Sequence, residues 1–264
     1  MIVAVLDLNC DLGESYGAYV HGADDEMMPM ITSANIACGA HGGEPAVMRR
    51  SVDRAIDHGV AIGAHVGLPD RLGFGRREIP TSGQEVYDLC LFQIGALDSF
   101  VRVRGHVLQH VKLHGALYMM ANRDRVLAEA ACAAISALSP SLLVYVLPGS
   151  QLHSAAMAAG LTTVAEIFAD RPYRDGHVQM YDRSPGLVGG PDQVVTRSLR
   201  ELDRAHGSGG LSLCVHSDTP GAPALLRAIR AALLRAGYSF QSPTPSTPVP
   251  THSIASPTTK GSMQ

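Results

Sequence analysis

Short apolar runs alternate along the chain with longer segments of helical periodicity. The runs are nearly continuous rather than alternating with polar residues, and many contain β-branched residues. Strands buried on both faces of a parallel sheet have this pattern. The sequence therefore predicts seven parallel strands, at Val3–Leu8, Ala34–Ala37, Val60–Ala64, Val107–Val111, Leu142–Leu147, Thr162–Phe168 and Leu211–Val215.

Three of the intervening segments place their apolar residues on one helical stripe and end at a glycine, at Gly59, Gly105 and Gly237. Strands that alternate with helices are joined by right-handed crossovers. The architecture is therefore either a (β/α) barrel or a doubly wound sheet. Both place ligands at the carboxyl ends of the strands, on the loops that lead into the helices.

Composition narrows the class of protein. Hydrophobic residues make up 46% of the 264 positions and charged residues 17%, which excludes global disorder. The net charge is −3 and the basic residues form no runs, so we expect no nucleic-acid partner. We also expect no membrane span and no signal peptide. Five cysteines without a CxxC pair favour reduced thiols and a cytoplasmic protein.

The last 24 residues differ from the rest of the chain. Residues 241–264 contain 5 Pro, 5 Ser and 5 Thr. Such a segment buries too little apolar surface to offset the entropy of ordering it. We expect one folded domain over residues 1–240 and a disordered tail over 241–264.

Ionisable and amide side chains follow six of the seven predicted strands. At the first, Asp7, Asn9 and Asp11 alternate and so point to one side of an extended chain, with Glu14 close behind. Carboxylates placed in this way can bind a cation or raise one another's pKa for acid–base chemistry. The alternative is a solvated turn in which an Asp caps a helix.

The second and third strands lead into glycine-rich loops. Asn35 and His41 belong to the second loop, and His65, Asp70 and Arg76 to the long third loop. Long ordered loops in compact domains usually have a function, and Arg side chains suit a carboxylate or a phosphate. The alternative is a solvated loop.

The fourth strand brings together His110, Lys112 and His114, which share one side of a strand. Lys112 is unusual in an apolar strand end and could bind an oxyanion or a phosphate. Asp170 and Arg171 follow the sixth strand, where a surface ion pair is an equal alternative to a binding role.

His216 and Asp218 alternate after the seventh strand, as a base and its orienting carboxylate would. Ser217 points the other way, and a triad made only of sequence neighbours is sterically unfavourable. Five of the chain's 12 histidines thus lie in these motifs, on one expected face.

The six motifs together resemble the LamB/YcsF family, in order over about residues 1–240. The resemblance implies a seven-stranded (β/α) barrel related to polysaccharide deacetylases. It also implies the A subunit of an ATP-dependent 5-oxoprolinase, which cleaves 5-oxo-L-proline to L-glutamate together with separate B and C subunits. The chain departs from the family pattern but keeps the ionisable residues; the departures are Val66, Leu113, Ser217 and the stretch Gln179–Gly186, which keeps Arg183.

With this resemblance, the motif residues take hypothetical roles. The expected catalytic residues are Asp11, Glu14, His41, His65, Lys112, His216 and Asp218. The expected substrate- or phosphate-binding residues are Asn9, Asn35, Asp70, Arg76, His114, Asp170 and Arg171. A divalent metal in the barrel could be bound by Asp11, His41 and His65.

The expected cofactors are ATP and Mg²⁺, although the chain has no GxxxxGK[ST] loop, so that ATP would be bound unconventionally or by a partner subunit. Two alternatives remain. One is a metal-dependent, deacetylase-like hydrolase. The other is a non-catalytic subunit that binds a lactam or a sugar.

Overall fold

A computed structural model describes residues 4–174, 177–180, 188–204 and 210–244. Within these residues, seven parallel strands form a sheet in which the first strand pairs with both the second and the last. This pairing closes the sheet, so the architecture is a (β/α) barrel and not a doubly wound sheet. The barrel strands are β1 (Ala4–Leu12), β2 (Ser33–Ala37), β3 (Ala61–Val66), β4 (His110–Leu113), β5 (Leu143–Val146), β6 (Thr163–Phe168) and β9 (Gly210–Cys214).

Shorter elements and the helices complete the described fold. The small strands β7 (Tyr173–Arg174) and β8 (His177–Val178) pair as an antiparallel hairpin, and β10 (Tyr238–Phe240) adds to β1 in parallel. The helices are α1 (Asp24–Met27), the 3₁₀ turn Met28–Met30, α2 (Pro45–Asp57), α3 (Gly83–Arg102), α4 (Gly115–Arg123), α5 (Arg125–Leu138), α6 (Gln151–Ala158), α7 (Pro191–Arg204) and α8 (Ala222–Arg235).

The helix boundaries have local causes. Ser82 and Glu85 form a capping box at the start of α3, and the Asp124 carboxylate caps α5 by accepting hydrogen bonds from two backbone amides. Pro45 occupies the first turn of α2, where a missing N–H costs nothing. The three predicted helical stripes are buried in α2, α3 and α8, and Gly59 follows α2 with a positive φ of 66°.

β1 is longer than the predicted run, which ended at Leu8. The strand continues to Leu12 because its polar positions alternate with apolar ones. Leu8, Cys10 and Leu12 are fully buried in the apolar core, while the alternate side chains point into the barrel. Polar residues inside a strand therefore belong to the barrel interior rather than to the loop beyond it.

The chain after β10 runs along the barrel. The Gln241 amide donates to the Leu6 carbonyl (3.1 Å), and Gln109 Nε2 donates to the Pro243 carbonyl (2.7 Å). The predicted tail thus begins with a described stretch, residues 241–244, and its remaining residues, 245–264, lie outside the described part of the chain. In that described part, no helix is long and apolar enough to cross a membrane.

Candidate active site

A column of polar side chains fills the barrel, beginning at Asp7. This carboxylate accepts hydrogen bonds from Tyr145 Oη (2.7 Å), Ser33 Oγ (2.7 Å) and Thr32 Oγ1 (2.6 Å), and from Ser212 Oγ. Burial raises the pKa of Asp7. Since its oxygens are occupied by protein donors, Asp7 stabilises the lower barrel and takes no part in the site above.

Asn9 and Asn35 form the next layer. Asn35 Nδ2 donates to Asn9 Oδ1 and to Asp11 Oδ1, both at 2.8 Å, and Asn35 Oδ1 accepts from His110 Nε2 (2.8 Å). Asn9 Nδ2 donates to Ser212 Oγ (2.7 Å). The two amides, predicted to bind substrate, are hydrogen-bonded to protein groups below Asp11, and Asn35 holds Asp11 in place.

Asp11 and Lys112 form a buried ion pair at the top of the column. Lys112 Nζ lies 2.8 Å from Asp11 Oδ1, 2.8 Å from Glu166 Oε1 and 3.1 Å from Cys214 Sγ. Burial alone would lower the pKa of Lys112, but Asp11, Cys214 and Glu166 outweigh it and raise that pKa well above its usual value. Burial would raise the pKa of Asp11, but the positive charges of a protonated His65 and of Lys112 hold it well below its usual range.

Three histidines and a glutamate meet beside Asp11. Ligand atoms of Glu14, His41, His65 and His114 lie within 4.8 Å of one another, and all four residues are buried. Glu14 Oε1 is 3.2 Å from His41 Nε2 and 3.6 Å from His114 Nδ1. We call these four residues the histidine cluster.

Backbone hydrogen bonds fix the orientation of two of these rings. His65 Nδ1 donates to the Lys112 carbonyl (3.1 Å), and His114 Nε2 donates to the Phe74 carbonyl (2.8 Å). In the neutral rings, His65 Nε2 and His114 Nδ1 therefore carry lone pairs, and these two atoms face each other at 2.9 Å. Two lone pairs at this distance repel unless a cation, a proton or a metal ion, lies between the rings.

Burial favours neutral His41 and His114, the form of imidazole that a metal ion needs. Burial lowers the pKa of His41 to about 3, and burial with His41 and His65 nearby lowers the pKa of His114 well below its usual value. Neutral imidazoles are the form that binds metals, and carbonyls that accept the second ring N–H are typical of metal-ligating histidines. Three nitrogens and one carboxylate oxygen suit zinc or a similar transition metal, while Mg²⁺ prefers oxygen.

The observed cluster differs in membership from the predicted metal set Asp11, His41 and His65. His41 and His65 are present, but the carboxylate within the group is that of Glu14 and the third ring is that of His114. Asp11 Oδ2 approaches His65 Nε2 at 3.1 Å and His216 Nε2 at 3.5 Å. Asp11 thus lies between the histidine cluster and His216.

His216 is oriented by Asp170, and the predicted orienting role of Asp218 is corrected accordingly. Asp170 Oδ1 accepts from His216 Nδ1 at 2.9 Å, and Asp170 also accepts from Arg171 Nη1 (2.9 Å) and Thr219 Oγ1. Asp218 instead pairs with other residues of the site because β9 ends at Cys214 and strand alternation does not extend to residue 218. His216 and Arg171 hold the pKa of Asp170 below its usual range, against burial, so Asp170 stays ionised.

Asp218 lies at the outer edge of the site. Its Oδ2 is 2.9 Å from Arg76 Nη2 and 3.7 Å from His21 Nε2. The predicted binding residues Arg76 and Arg171 line a cavity at the carboxyl ends of the strands, together with Asp11, His65, Lys112, His114 and His216. Asp70 bonds within its own loop, to Arg77 and to the Gly73 amide, and does not line this cavity.

Several residues of the site were missed at the level of sequence. Glu166 and Tyr118 are buried beside Lys112, Ser217 Oγ donates to the Asp11 carbonyl (2.8 Å), and His21 lies beside Glu14 at 3.9 Å. Glu166 carried a usable signal, since a carboxylate inside an apolar strand needs a partner. His21 had none, because it lies in a loop well beyond the first motif.

The fold and the site define a closed parallel (β/α) barrel with a buried ionisable centre at the carboxyl ends of its strands. Seven strands, a polar interior column and the ordered set of loop motifs are all present in this arrangement. The chain belongs to the LamB/YcsF family, whose model matches residues 6–247.

Two relatives of the same name align with this chain over nearly their whole length. The chain is 44% identical over 249 residues to a protein of Tolumonas auensis that is named as the A subunit of 5-oxoprolinase, covering 90% of this chain and 99% of that protein. It is 45% identical over 246 residues to the protein of that name from Thermus thermophilus, covering 89% and 98%.

Solved structures agree on the barrel. The lactam utilization protein of Thermus thermophilus superposes with a TM-score of 0.81 at 43% identity, covering 89% of this chain and 98% of that one. The catalytic domain of a peptidoglycan N-acetylglucosamine deacetylase from Eubacterium rectale superposes with a TM-score of 0.52 at 12% identity, covering 96% and 94%. This second similarity concerns the fold alone.

Proposed function

We propose that this chain is the A subunit of an ATP-dependent 5-oxoprolinase, acting in the cytoplasm with B and C subunits to convert 5-oxo-L-proline to L-glutamate. The observation that carries the proposal is the match to relatives of that name over 98–99% of their own lengths. The ionisable centre at the expected end of the barrel supports it.

The reaction requires the cleavage of a resonance-stabilised amide. One water supplies the oxygen of the new carboxylate, the ring C–N bond breaks, and the nitrogen takes up protons to become the amino group of glutamate. A second water is consumed as ATP becomes ADP and inorganic phosphate. Transfer of the γ-phosphoryl group to the lactam oxygen, with release of ADP, would weaken the amide resonance and open the ring carbon to attack by the first water. Cleavage of the C–N bond would then leave a carboxyl phosphate, which the second water would hydrolyse to the carboxylate and inorganic phosphate.

His216 is placed to move protons in this scheme. Because the Nδ1–H of neutral His216 donates a hydrogen bond to Asp170, its Nε2 atom has the lone pair, which faces Asp11 and the cavity. Such a nitrogen can take a proton from water and return one to the leaving nitrogen. Asp170 would stabilise the imidazolium formed between these steps, and Asp11 would accept a hydrogen bond from it.

The cations lining the cavity would bind the anionic oxygens. Lys112 and Arg76 can contact oxygens that gain negative charge, and Arg171 offers a second guanidinium for the substrate carboxylate or a phosphate. These groups are already held by Asp11, Asp218 and Asp170 respectively, so they need little reorganisation when the substrate binds.

The histidine cluster would hold a divalent metal ion, through Glu14, His41, His65 and His114. A metal at this position supplies Lewis acidity beside Asp11. ATP and its Mg²⁺ are assigned to a different place: without a GxxxxGK[ST] loop, the chain would receive the nucleotide together with a partner subunit.

Reconstitution tests the proposal. The chain is combined with the B and C subunits, and glutamate and ADP are quantified from 5-oxoproline with and without ATP. We expect glutamate and ADP in a 1:1 ratio, only in the complete mixture with ATP. Glutamate release by the chain alone without ATP, or none in the complete mixture, contradicts the proposal.

A second candidate is a metal-dependent, deacetylase-like hydrolase, which the histidine cluster favours. Stoichiometric zinc, together with hydrolysis of an N-acetylated sugar that is lost on chelation and needs no ATP, would support this function. A non-catalytic subunit that delivers the lactam to its partners would instead bind 5-oxoproline in calorimetry without turning it over.

A further inference from the structure

Lys112 lies between two carboxylates, and only one of them faces the cavity. Lys112 and Asp11 line it, whereas Glu166 does not. Glu166 points inward from the middle of β6 and is 1% exposed. Its Oε1 lies 2.8 Å from Lys112 Nζ, and Asp11 Oδ1 lies at the same distance from that nitrogen.

Lys112 needs only one carboxylate to neutralise its charge, yet it contacts two. One paired carboxylate already neutralises Lys112, and a further buried carboxylate costs desolvation energy. Glu166 also lies against the buried Tyr118, whose pKa is raised well above its usual value by burial and by the charge of Glu166. Burying the charged Glu166 is therefore unfavourable by itself. We expect its negative charge to act on Lys112 in a way that a neutral side chain could not.

The effect follows from the flexibility of lysine. Its ammonium ends a four-carbon stem with many rotamers, and it acts as a point charge without a fixed direction. The other oxygen of Asp11, Oδ2, lies 3.1 Å from His65 Nε2 and 3.5 Å from His216 Nε2. A second anion behind Lys112 fixes the ammonium without relying on Asp11 alone.

We propose that Glu166 is a positioning residue that holds the Lys112 ammonium at the cavity, so that Lys112 can contact an anionic oxygen of the reacting substrate while Asp11 remains directed at the two histidines. Glu166 touches no substrate itself and acts through Lys112. The expected effect of Glu166 on activity rests on the proposed function. Its expected effect on the position of Lys112 does not.

The kinetic test uses Glu166→Gln in the reconstituted complex. Gln keeps the size of the side chain and removes its charge. We expect kcat to fall by about 10- to 100-fold with KM changed less than about threefold, since misplacement of one oxyanion-binding cation acts mainly on the transition state. Glu166→Asp, which keeps the charge, should recover part of the loss. Glu201→Gln, which alters a buried, ion-paired glutamate on α7, is the matched control and should keep full activity.

A double-mutant cycle separates positioning from a structural role. If Glu166 acts through Lys112, the loss caused by Glu166→Gln is much smaller in a Lys112→Arg background than in the wild type. Equal losses in both backgrounds overturn the proposal, as does wild-type kcat in Glu166→Gln.

The structural test needs no activity. In crystal structures of the wild type and of Glu166→Gln, we expect Lys112 Nζ to move by more than about 1 Å or to occupy several conformers in the variant, since the stem has free rotamers. An unchanged Lys112 overturns the inference. If Glu166→Gln does not fold, Glu166→Met, which also removes the charge, serves in its place. An inactive wild-type complex would contradict the proposed function and leave this structural test valid.

Discussion

The individual residues of the centre are distinguished by their partners rather than by their type. Asp7, Asp11 and Asp170 are all buried aspartates, yet each has a different role. Hydroxyls surround Asp7, an ammonium and two imidazoles surround Asp11, and one imidazole and a guanidinium surround Asp170. Only the latter two can therefore take part in proton transfer at the cavity.

Asp170→Asn tests which carboxylate serves His216. An amide at this position can present an N–H to Nδ1, which favours the other tautomer and turns the Nε2 lone pair into a donor. We expect kcat of the complex to fall at least about 100-fold, measured as glutamate release with the melting temperature followed in parallel. The control Asp192→Asn, at an exposed position of α7, should be active.

The pairing of His216 with Asp218 that the sequence predicted leads to a different expectation for these variants. If it were correct, Asp218→Asn would remove proton transfer and Asp170→Asn would act only on stability. We expect Asp218→Asn to raise KM instead, because Asp218 holds Arg76.

A pH effect is expected from Asp24, whose pKa burial raises to about 6. A carboxyl group with a raised folded-state pKa loses its stabilising contribution as pH rises from the unfolded pKa through the folded one. Asp24→Asn has no such loss. Between pH 5 and pH 7, the wild type should therefore lose about 1 kcal/mol relative to Asp24→Asn in urea unfolding. The prediction would be contradicted if the free energy of unfolding changed equally with pH in the two proteins.

At the scale of elements, the sequence was sufficient for the seven barrel strands and for three helices. Their signal is strong because strands enclosed on both faces are continuously apolar. The ends of the strands were harder to predict from the sequence. β1 and β4 extend into polar positions, Asp11 and Lys112 among them, because a barrel can turn polar side chains inward. β10 was missed, since three residues after Gly237 give no periodicity.

The sequence named many residues of the candidate site, but it did not give their pairings. His216 and Asp218 looked like a pair because they alternate in sequence, whereas the partner on Nδ1, Asp170, comes from the loop after β6. Glu14, His41, His65 and His114 come from four separate segments. Which of them meet depends on how the barrel closes, and that information is absent from local spacing.

Packing between β3 and β4 gives a prediction for an element. A Cβ on Gly63 would lie 2.0 Å from His110 Nε2, inside the polar column. Gly63→Ala should therefore destabilise the protein by about 1–3 kcal/mol or more in chemical denaturation, as overpacking does. Gly95→Ala is the control: it lies in α3 with nothing within 4 Å of the new Cβ, and it should stabilise by up to about 1 kcal/mol. Equal effects of the two substitutions would contradict the packing described.

At the scale of the whole molecule, barrel closure makes the centre possible. Pairing of β1 with β9 brings Asp11 within 3.5 Å of His216, although the two are far apart in the chain. Lys112 of β4 and Glu166 of β6 lie two strands apart in the sheet, and their side chains meet in the barrel interior.

The metal proposed for the histidine cluster can be tested on the whole protein. We expect purified protein to bind about one equivalent of zinc by elemental analysis after dialysis. His114→Asn should lower the affinity by at least about tenfold, because it removes one of three imidazoles. His153→Asn, on the outer helix α6, is the control. Zinc binding that is equal in both variants would place the metal elsewhere.

The most direct test of the central claim is the activity of Asp11→Asn in the reconstituted complex. Asp11 joins Lys112, His65 and His216, so its charge is required by every role proposed for the centre. We predict that ATP-dependent glutamate release falls at least about 10³-fold, with the complex still assembled. Full activity of Asp11→Asn would contradict the assignment of this centre to lactam hydrolysis.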